Sequence, residues 1–353
     1  MSNDIEITHA TLADQDEWDS FVLSHPHASP YHLFAWGSAI ALAYGHKSYF
    51  LVARQEGSLV GILPLVHLKL TFFVNEFLAL PFCDVGNCLS VDGEVEKKLL
   101  EEAWSLSKQL KIRNIQLRGQ LLHESNYALF HQLESNKLRM LLRLPESSES
   151  LFSAFKSKLR TQIRKAEKNQ VIFRWAGKDG VDSFYAVICN NMRELGSPVH
   201  SKKLFSAIMD QYGERARIGL TEYEGKCISA GLILSTEEQT SIPWASSLRN
   251  FNHLAPNMLL YWNFLKFAAD SGKKVFDFGR STENEGTFRF KKQWGAEPFP
   301  LIWYSSYPDT LIQSASEAHG KISPRERAAI LWKRLPLSVT NILGPQLRKY
   351  INL

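Results

Sequence analysis

The residues Val275-Phe276-Asp277-Phe278-Gly279-Arg280-Ser281-Thr282-Glu283-Asn284-Glu285-Gly286-Thr287-Phe288-Arg289-Phe290-Lys291-Lys292-Gln293-Trp294-Gly295 decide how this chain reads. Val275, Phe276 and Phe278 suit a strand buried on both faces. Asp277 is expected near the end of that strand, with Arg280 to Glu285 as a polar loop beyond it. Thr287 to Trp294 predicts two helical turns, stopped by Gly295 in the left-handed region. A carboxylate, a guanidinium, hydroxyls and a lysine pair meet in this one segment. Such groups bind an anion and steer a proton.

Working outward, the same order of elements occurs twice. Ala216 to Leu234 reads as two strands about a Tyr223-Glu224-Gly225 turn. Pro256 to Asp270 then forms a helix apolar almost all round, expected between a sheet and a domain interface. Strand Lys274 to Phe278 follows Gly272. In the first half, Ser48 to Val66 reads as two strands about Gln55-Glu56-Gly57. Glu94 to Leu110 carries Leu99, Leu100, Ala103, Leu106 and Leu110 at helical spacing, before strand Ile112 to Leu117. The repeat is degenerate. Gln116 stands where the second half has Asp277, and the first half has no counterpart of the Phe-Lys-x-x-Trp-Gly helix.

At 353 residues the chain is long for one core and natural for two domains. The boundary is expected where Pro145-Glu-Ser-Ser-Glu-Ser150 breaks periodicity, giving domains 1–147 and 148–306 and a basic helical tail 307–353. Apolar content of 44% and charge of 22% are those of an ordinary globular protein, which excludes a disordered or fibrous chain. No signal peptide and no 18-residue apolar run is visible, so a cytoplasmic protein is expected, peripheral to the inner face of the membrane if its tail binds lipid. Cys83, Cys88, Cys189 and Cys227 lack zinc-type spacing. His25, His27 and His32 cluster without nearby acids, so no metal is expected.

The net charge of +5 is unevenly spread. Lys156 to Lys168 carries six basic residues and one acid, and Lys321 to Leu353 seven and one. Phe152, Phe155, Leu159, Ile163 and Ala166 give Leu151 to Lys168 one apolar stripe, with Arg160 and Arg164 off it. This predicts an amphipathic basic helix that clamps an anionic ligand, or is merely solvated surface. It has no interleaved aromatics for stacking bases, and no DNA partner is expected. Ser323-Pro324-Arg325-Glu326 predicts a capped helix start. Ala328, Leu331, Trp332 and Leu335 follow on one face. That tail either packs on the domains as a brace or lies on an anionic membrane.

The closing words Gly286-Thr-Phe-Arg-Phe290-Lys291-Lys-Gln-Trp294-Gly295 resemble the end of the Fem-type transferases, a branch of the GNAT acyltransferase superfamily. Tyr44-Gly45-His46, Gly61-Ile-Leu-Pro-Leu65, Leu80-Pro81-Phe82, Asn191-Met-Arg-Glu-Leu-Gly-Ser-Pro-Val199, Pro243-Trp-Ala-Ser-Ser-Leu248 and Pro256-Asn-Met-Leu-Leu-Tyr-Trp262 extend the likeness over nearly the whole chain. Together they are similar to the FemAB-related subgroup found beside exosortase and PEP-CTERM sorting systems. The resemblance implies two tandem GNAT-like α/β domains, each a mixed, mostly antiparallel sheet flanked by helices, with the chemistry in the second. It implies N-acyl or aminoacyl transfer to an amine of a cell-envelope or exopolysaccharide precursor, nucleotide- or lipid-linked. An acyltransferase acting on a sugar nucleotide and an idle scaffold are the alternatives.

The same resemblance implies that Lys291 stabilises the oxyanion of acyl transfer, an effect worth about 3 kcal/mol. Asp277 is read as a proton acceptor, or else as a salt bridge or loop cap. Trp244, Ser246 and Arg249 follow the strand Thr240 to Ile242, where GNAT folds splay a strand to grip the donor. Pro256 opens a helix whose free N–H groups suit phosphate, with Asn257 and Tyr261 facing it. Arg280, Ser281 and Glu285 complete the expected substrate site. The glycine-rich pyrophosphate loop of acetyl-CoA enzymes is absent from Leu248 to Ala255. Acyl-CoA and aminoacyl-tRNA therefore both remain as donors, with tRNA as a candidate partner.

Overall fold

Both Glu-Gly turns form two-residue hairpins. Glu56 and Gly57 (φ +51° and +81°) and Glu224 and Gly225 (φ +49° and +75°) all lie in the left-handed region, which matches the twist of the flanking strands. The structure is a computed structural model describing residues 4–70, 73–122, 129–307 and 324–351. The expected cap at Ser323 and the first part of the tail lie outside these.

Two compact units divide the chain. The first comprises residues 1–136, 301–323 and 350–353, and the second 137–300 and 324–349. The seam therefore falls at Asn136, not at residue 147. The strand after it pairs in the second sheet, so the Pro145–Ser150 break lies inside the second unit.

The first unit runs β1 (Ile5–His9), α1 (Gln15–Ser24), α2 (Phe34–Tyr44), β2 (Lys47–Gln55), β3 (Ser58–Leu70), β4 (Val74–Ala79), β5 (Leu89–Ser90), α3 (Gly93–Gln109), β6 (Asn114–Arg118) and β7 (His131–Leu133). Asp92 caps α3 through the N–H groups of Glu94 and Val95. The buried stripe Leu99, Leu100, Ala103 and Leu106 lies in the core against Leu51, Leu63 and Ile115.

The second unit runs β8 (Lys137–Arg143), α4 (Ser148–Ala154), α5 (Ser157–Lys168), β9 (Ile172–Ala176), α6 (Val181–Leu195), α7 (Lys202–Tyr212), β10 (Ala216–Tyr223), β11 (Lys226–Ser235), β12 (Gln239–Ser247), α8 (Pro256–Asp270), β13 (Val275–Thr282), α9 (Gly286–Lys292) and β14 (Glu297–Pro300). β15 (Trp303–Ser305) then joins the first sheet, and α10 (Pro324–Arg334) and α11 (Leu337–Arg348) follow. The single helix expected over Leu151 to Lys168 is two, because Phe155 and Lys156 take extended conformations. α8 packs on β10, β11 and β12 and also on α4 and α5, which accounts for its all-round apolarity.

Among the described residues the main sheet orders are β1-β2-β3-β4-β6-β15-β7 and β14-β8-β13-β12-β11-β10-β9. In each, four antiparallel strands precede a helical crossover to a parallel fifth. The crossover helices are α3 and α8, as the repeat predicts. The parallel pairings are Glu76–Asn114, Phe77–Ile115 and Leu78–Gln116 in one unit, and Gln239–Val275, Thr240–Phe276 and Ser241–Asp277 in the other. Gln116 thus holds the register position of Asp277. The chain is an α/β protein of two tandem units built on one plan, as the resemblance implies.

Candidate active site

β12 and β13 run side by side for those three pairs only. Beyond them β12 follows β11 to Ser247, while β13 follows β8 to Thr282. The strands part, and the backbone edges of residues 242–247 and 278–282 are not joined to each other in the ladder. Pro243 lies where β12 shifts register against β11, a place where its missing N–H costs no ladder bond. β13 has its own irregularity between Asp277 and Arg280, with Gly279 at φ +69°. Arg280, Ser281 and Thr282 therefore continue the strand, and the expected loop shrinks to Glu283–Glu285.

Asp277 is the third of eight strand residues and is buried. Its Oδ2 accepts from Nε of Arg139 at 2.9 Å and pairs with Nη2 at 2.9 Å. Its Oδ1 accepts the Gly279 N–H at 2.7 Å, bracing the irregular turn of the strand. Both oxygens are engaged, so the residue expected to accept a proton has the salt bridge and cap of the structural alternative. Its ion-pair partner is Arg139 of β8. On the next step of the same sheet face, Arg139 and Arg280 are directly opposite across β8 and β13.

Lys291 is buried at 8% exposure, not facing outward as its place on a basic helix suggests. Its Nζ donates to the carbonyl of Arg280 at 2.6 Å, on the parted section of β13. Aromatic packing seats α9. Phe288 and Trp294 are buried in the core, and Tyr261 of α8 stacks on Phe278 at 5.8 Å and meets Phe290 edge-on at 4.9 Å. Tyr261 thus holds the lysine helix instead of facing a phosphate at the start of α8. Burial pushes its phenol pKa upward, so it stays protonated. Beside Arg280, the buried hydroxyl of Ser281 makes no hydrogen bond within the protein.

On β12, Trp244 packs edge-on against Phe205 and His200, and the Ser246 hydroxyl accepts from Asn191 of α6 at 2.8 Å. Arg249 is paired with Glu194 at 2.8 Å. Both line a cavity of about 530 Å³ with Asn190, Lys226, Cys227 and Phe251. Burial raises the Cys227 thiol to about 11, so it is not a thiolate at neutral pH. Ala255 (φ +58°) turns the chain into α8, where Pro256 is the first residue and Asn257 is partly exposed. Glu285 precedes α9 without capping it through its side chain. Arg160 is half-buried on α5, and the exposed Arg164 lies over the Phe152 ring at 5.4 Å. Sequence reading missed Arg139, Asn191 and Glu194 as site residues. The only sequence signal for Arg139 is a charge within the alternation Leu138, Met140, Leu142.

Residues 153–292 match the family model described as Acetyltransferase (GNAT) domain. The parted parallel strands, α8 and the lysine helix all lie inside that segment, which makes this an acyltransferase. The crystal structure of FemX is similar in fold, at 15% identity and a TM-score of 0.71, covering 88% of this chain and 100% of that one. The C-terminal domain of a putative lysylphosphatidylglycerol synthetase from Agrobacterium fabrum is similar at 12% identity and a TM-score of 0.59, covering 89% and 98%. So is a tandem GNAT protein from the clavulanic acid biosynthesis pathway, at 12% and 0.55, covering 86% and 99%. No curated protein matches the chain in sequence. Among the described residues there is no group of three His, Cys, Asp or Glu able to hold a metal ion. No helix of the described residues is long and apolar enough to cross a membrane.

Proposed function

We propose that the protein transfers an acyl or aminoacyl group to an amine of a cell-envelope or exopolysaccharide precursor at the inner face of the membrane. The observation that carries this is the Lys291 ammonium, fixed on the Arg280 carbonyl where β13 leaves β12. A positioned cation there meets the negative charge that grows on a carbonyl oxygen during attack. The amine forms the new C–N bond, the carbonyl carbon loses its bond to the donor oxygen or sulfur, and the amine proton ends on the departing hydroxyl or thiol. Asp277 acts on this site through Arg139 and the strand, as a positioning residue.

Arg280, opposite the Asp277-paired Arg139 on the sheet, together with Arg160 and Arg164 on α5, supports an anionic acceptor such as a nucleotide- or lipid-linked glycan. Two donors remain in the reading. The acetyltransferase match favours a CoA thioester, with a sugar nucleotide as acceptor in the alternative reading. The Fem-type resemblance favours aminoacyl-tRNA. Thermal shift with CoA thioesters, charged tRNA and UDP-sugars separates them. Stabilisation by one donor class and an anionic sugar supports the reading, and indifference to every member of the panel overturns it.

A further inference from the structure

The closing helices carry a surface that acyl transfer does not use. One face of α11 packs on its own unit. Thr340 and Gly344 are buried, and a methyl built on Gly344 would lie 3.1 Å from Val199. Arg348 donates from Nε to Nε2 of His200 at 3.1 Å. The brace expected of the tail is therefore present on this face.

The other face is open. Ile342 is 71% exposed, Leu343 45% and Leu347 47%, and on α10 Leu331 is 63% and Ile330 42% exposed. Single exposed aliphatic residues are ordinary. Here Leu343 and Leu347 are one helical turn apart with Ile342 beside them, which makes a stripe. Residues 324–351 also carry six Lys or Arg against the single acid Glu326. Lys333 and Arg334, both exposed, close α10. Aliphatic side chains standing out from helices that carry this charge fit a flat anionic surface that is apolar beneath.

We infer that α10 and α11 dock on an anionic phospholipid bilayer, with Ile342, Leu343 and Leu347 entering the headgroup–acyl boundary and Lys333 and Arg334 meeting the phosphates. This does not rest on the acyltransferase reading. Sedimentation of the full chain with vesicles tests it. The protein should bind phosphatidylcholine vesicles containing phosphatidylglycerol, more weakly as salt rises, and not phosphatidylcholine alone. Leu343→Gln with Leu347→Gln should weaken binding roughly tenfold, and Lys333→Glu with Arg334→Glu should abolish the preference for phosphatidylglycerol. All four positions are exposed, so the melting curves should match the wild type. Equal binding to both vesicle types, or a variant that binds like the wild type, overturns the inference. So does light scattering that shows a dimer which Leu343→Gln with Leu347→Gln dissolves, because the stripe would then be covered by a second copy.

Discussion

Arg139 and Asp277 meet across 138 residues of chain, with Nε and Nη2 of the arginine both 2.9 Å from one carboxylate oxygen. The pair links β8 to β13 where the Gly279 irregularity loosens the ladder between them. It sets the course of the strand that carries the Arg280 carbonyl, and hence the place of Lys291.

Removing one partner leaves the other charge uncompensated inside the sheet. Asp277→Ala should cost about 3 kcal/mol of stability, and adding Arg139→Leu should restore part of it. Urea unfolding of the two single variants and the double variant measures this. Asp277→Ala with wild-type stability and no activity would return the carboxylate to the chemistry.

His200 is buried, and its imidazole pKa is held well below 6.5, by burial first and then by the Arg348 guanidinium. The folded protein therefore keeps it neutral while the unfolded chain takes up a proton below about pH 6.5. Its contribution to stability is full above that pH and falls as the pH drops toward the lowered native value. Stability measured against pH should slope less between pH 5 and 6.5 in His200→Gln than in the wild type. An unchanged slope would mean that His200 is protonated in the fold.

Gly219 and Gly231 are paired across β10 and β11 and make room for the Phe264 ring of α8. A methyl at Gly231 would lie 2.7 Å from that ring, and one at Gly219 only 2.3 Å. Gly231→Ala should therefore destabilise by about 1–3 kcal/mol through overpacking. A melting temperature equal to the wild type would show that Phe264 moves aside freely.

Local chemistry made much of this legible in the sequence. The Glu-Gly hairpins, the Pro256 helix start, the helix before Gly295 and the stripe of α3 each depend on neighbours a few residues away. Long-range partners were not legible. Nothing near Asp277 announces Arg139, and placing residues 137–143 in the first domain hid the strand pairing that brings them together. Arg280 reads as loop because a glycine before polar residues usually ends a strand, whereas Gly279 here bends one. The apolar stripe from Phe152 to Ala166 keeps its spacing across Phe155 and Lys156, so periodicity alone bridged the break between α4 and α5. Lys291 sat in a basic run that gave no sign of its burial.

Reversing Arg160 and Arg164 to Glu should leave the fold intact, since the buried face of α5 is Leu159, Ile163 and Ala166. Binding of an anionic acceptor should weaken, and wild-type affinity should fall with salt. Titration of each UDP-sugar or lipid-linked sugar at two ionic strengths reads both effects. Indifference to the reversal and to salt would leave α5 as solvated surface.

Lys291 is the cation on which the proposed acyl transfer depends. Release of CoA thiol from acyl-CoA, or of free tRNA from charged tRNA, should depend on an amine acceptor. It should fall by ~100-fold in Lys291→Met, the loss expected when an oxyanion partner is removed. Because the side chain is buried and bound to the Arg280 carbonyl, the variant should also melt lower, so rates are compared at a temperature where circular dichroism shows both proteins folded. Wild-type rates from folded Lys291→Met would mean that the lysine takes no part in the chemistry.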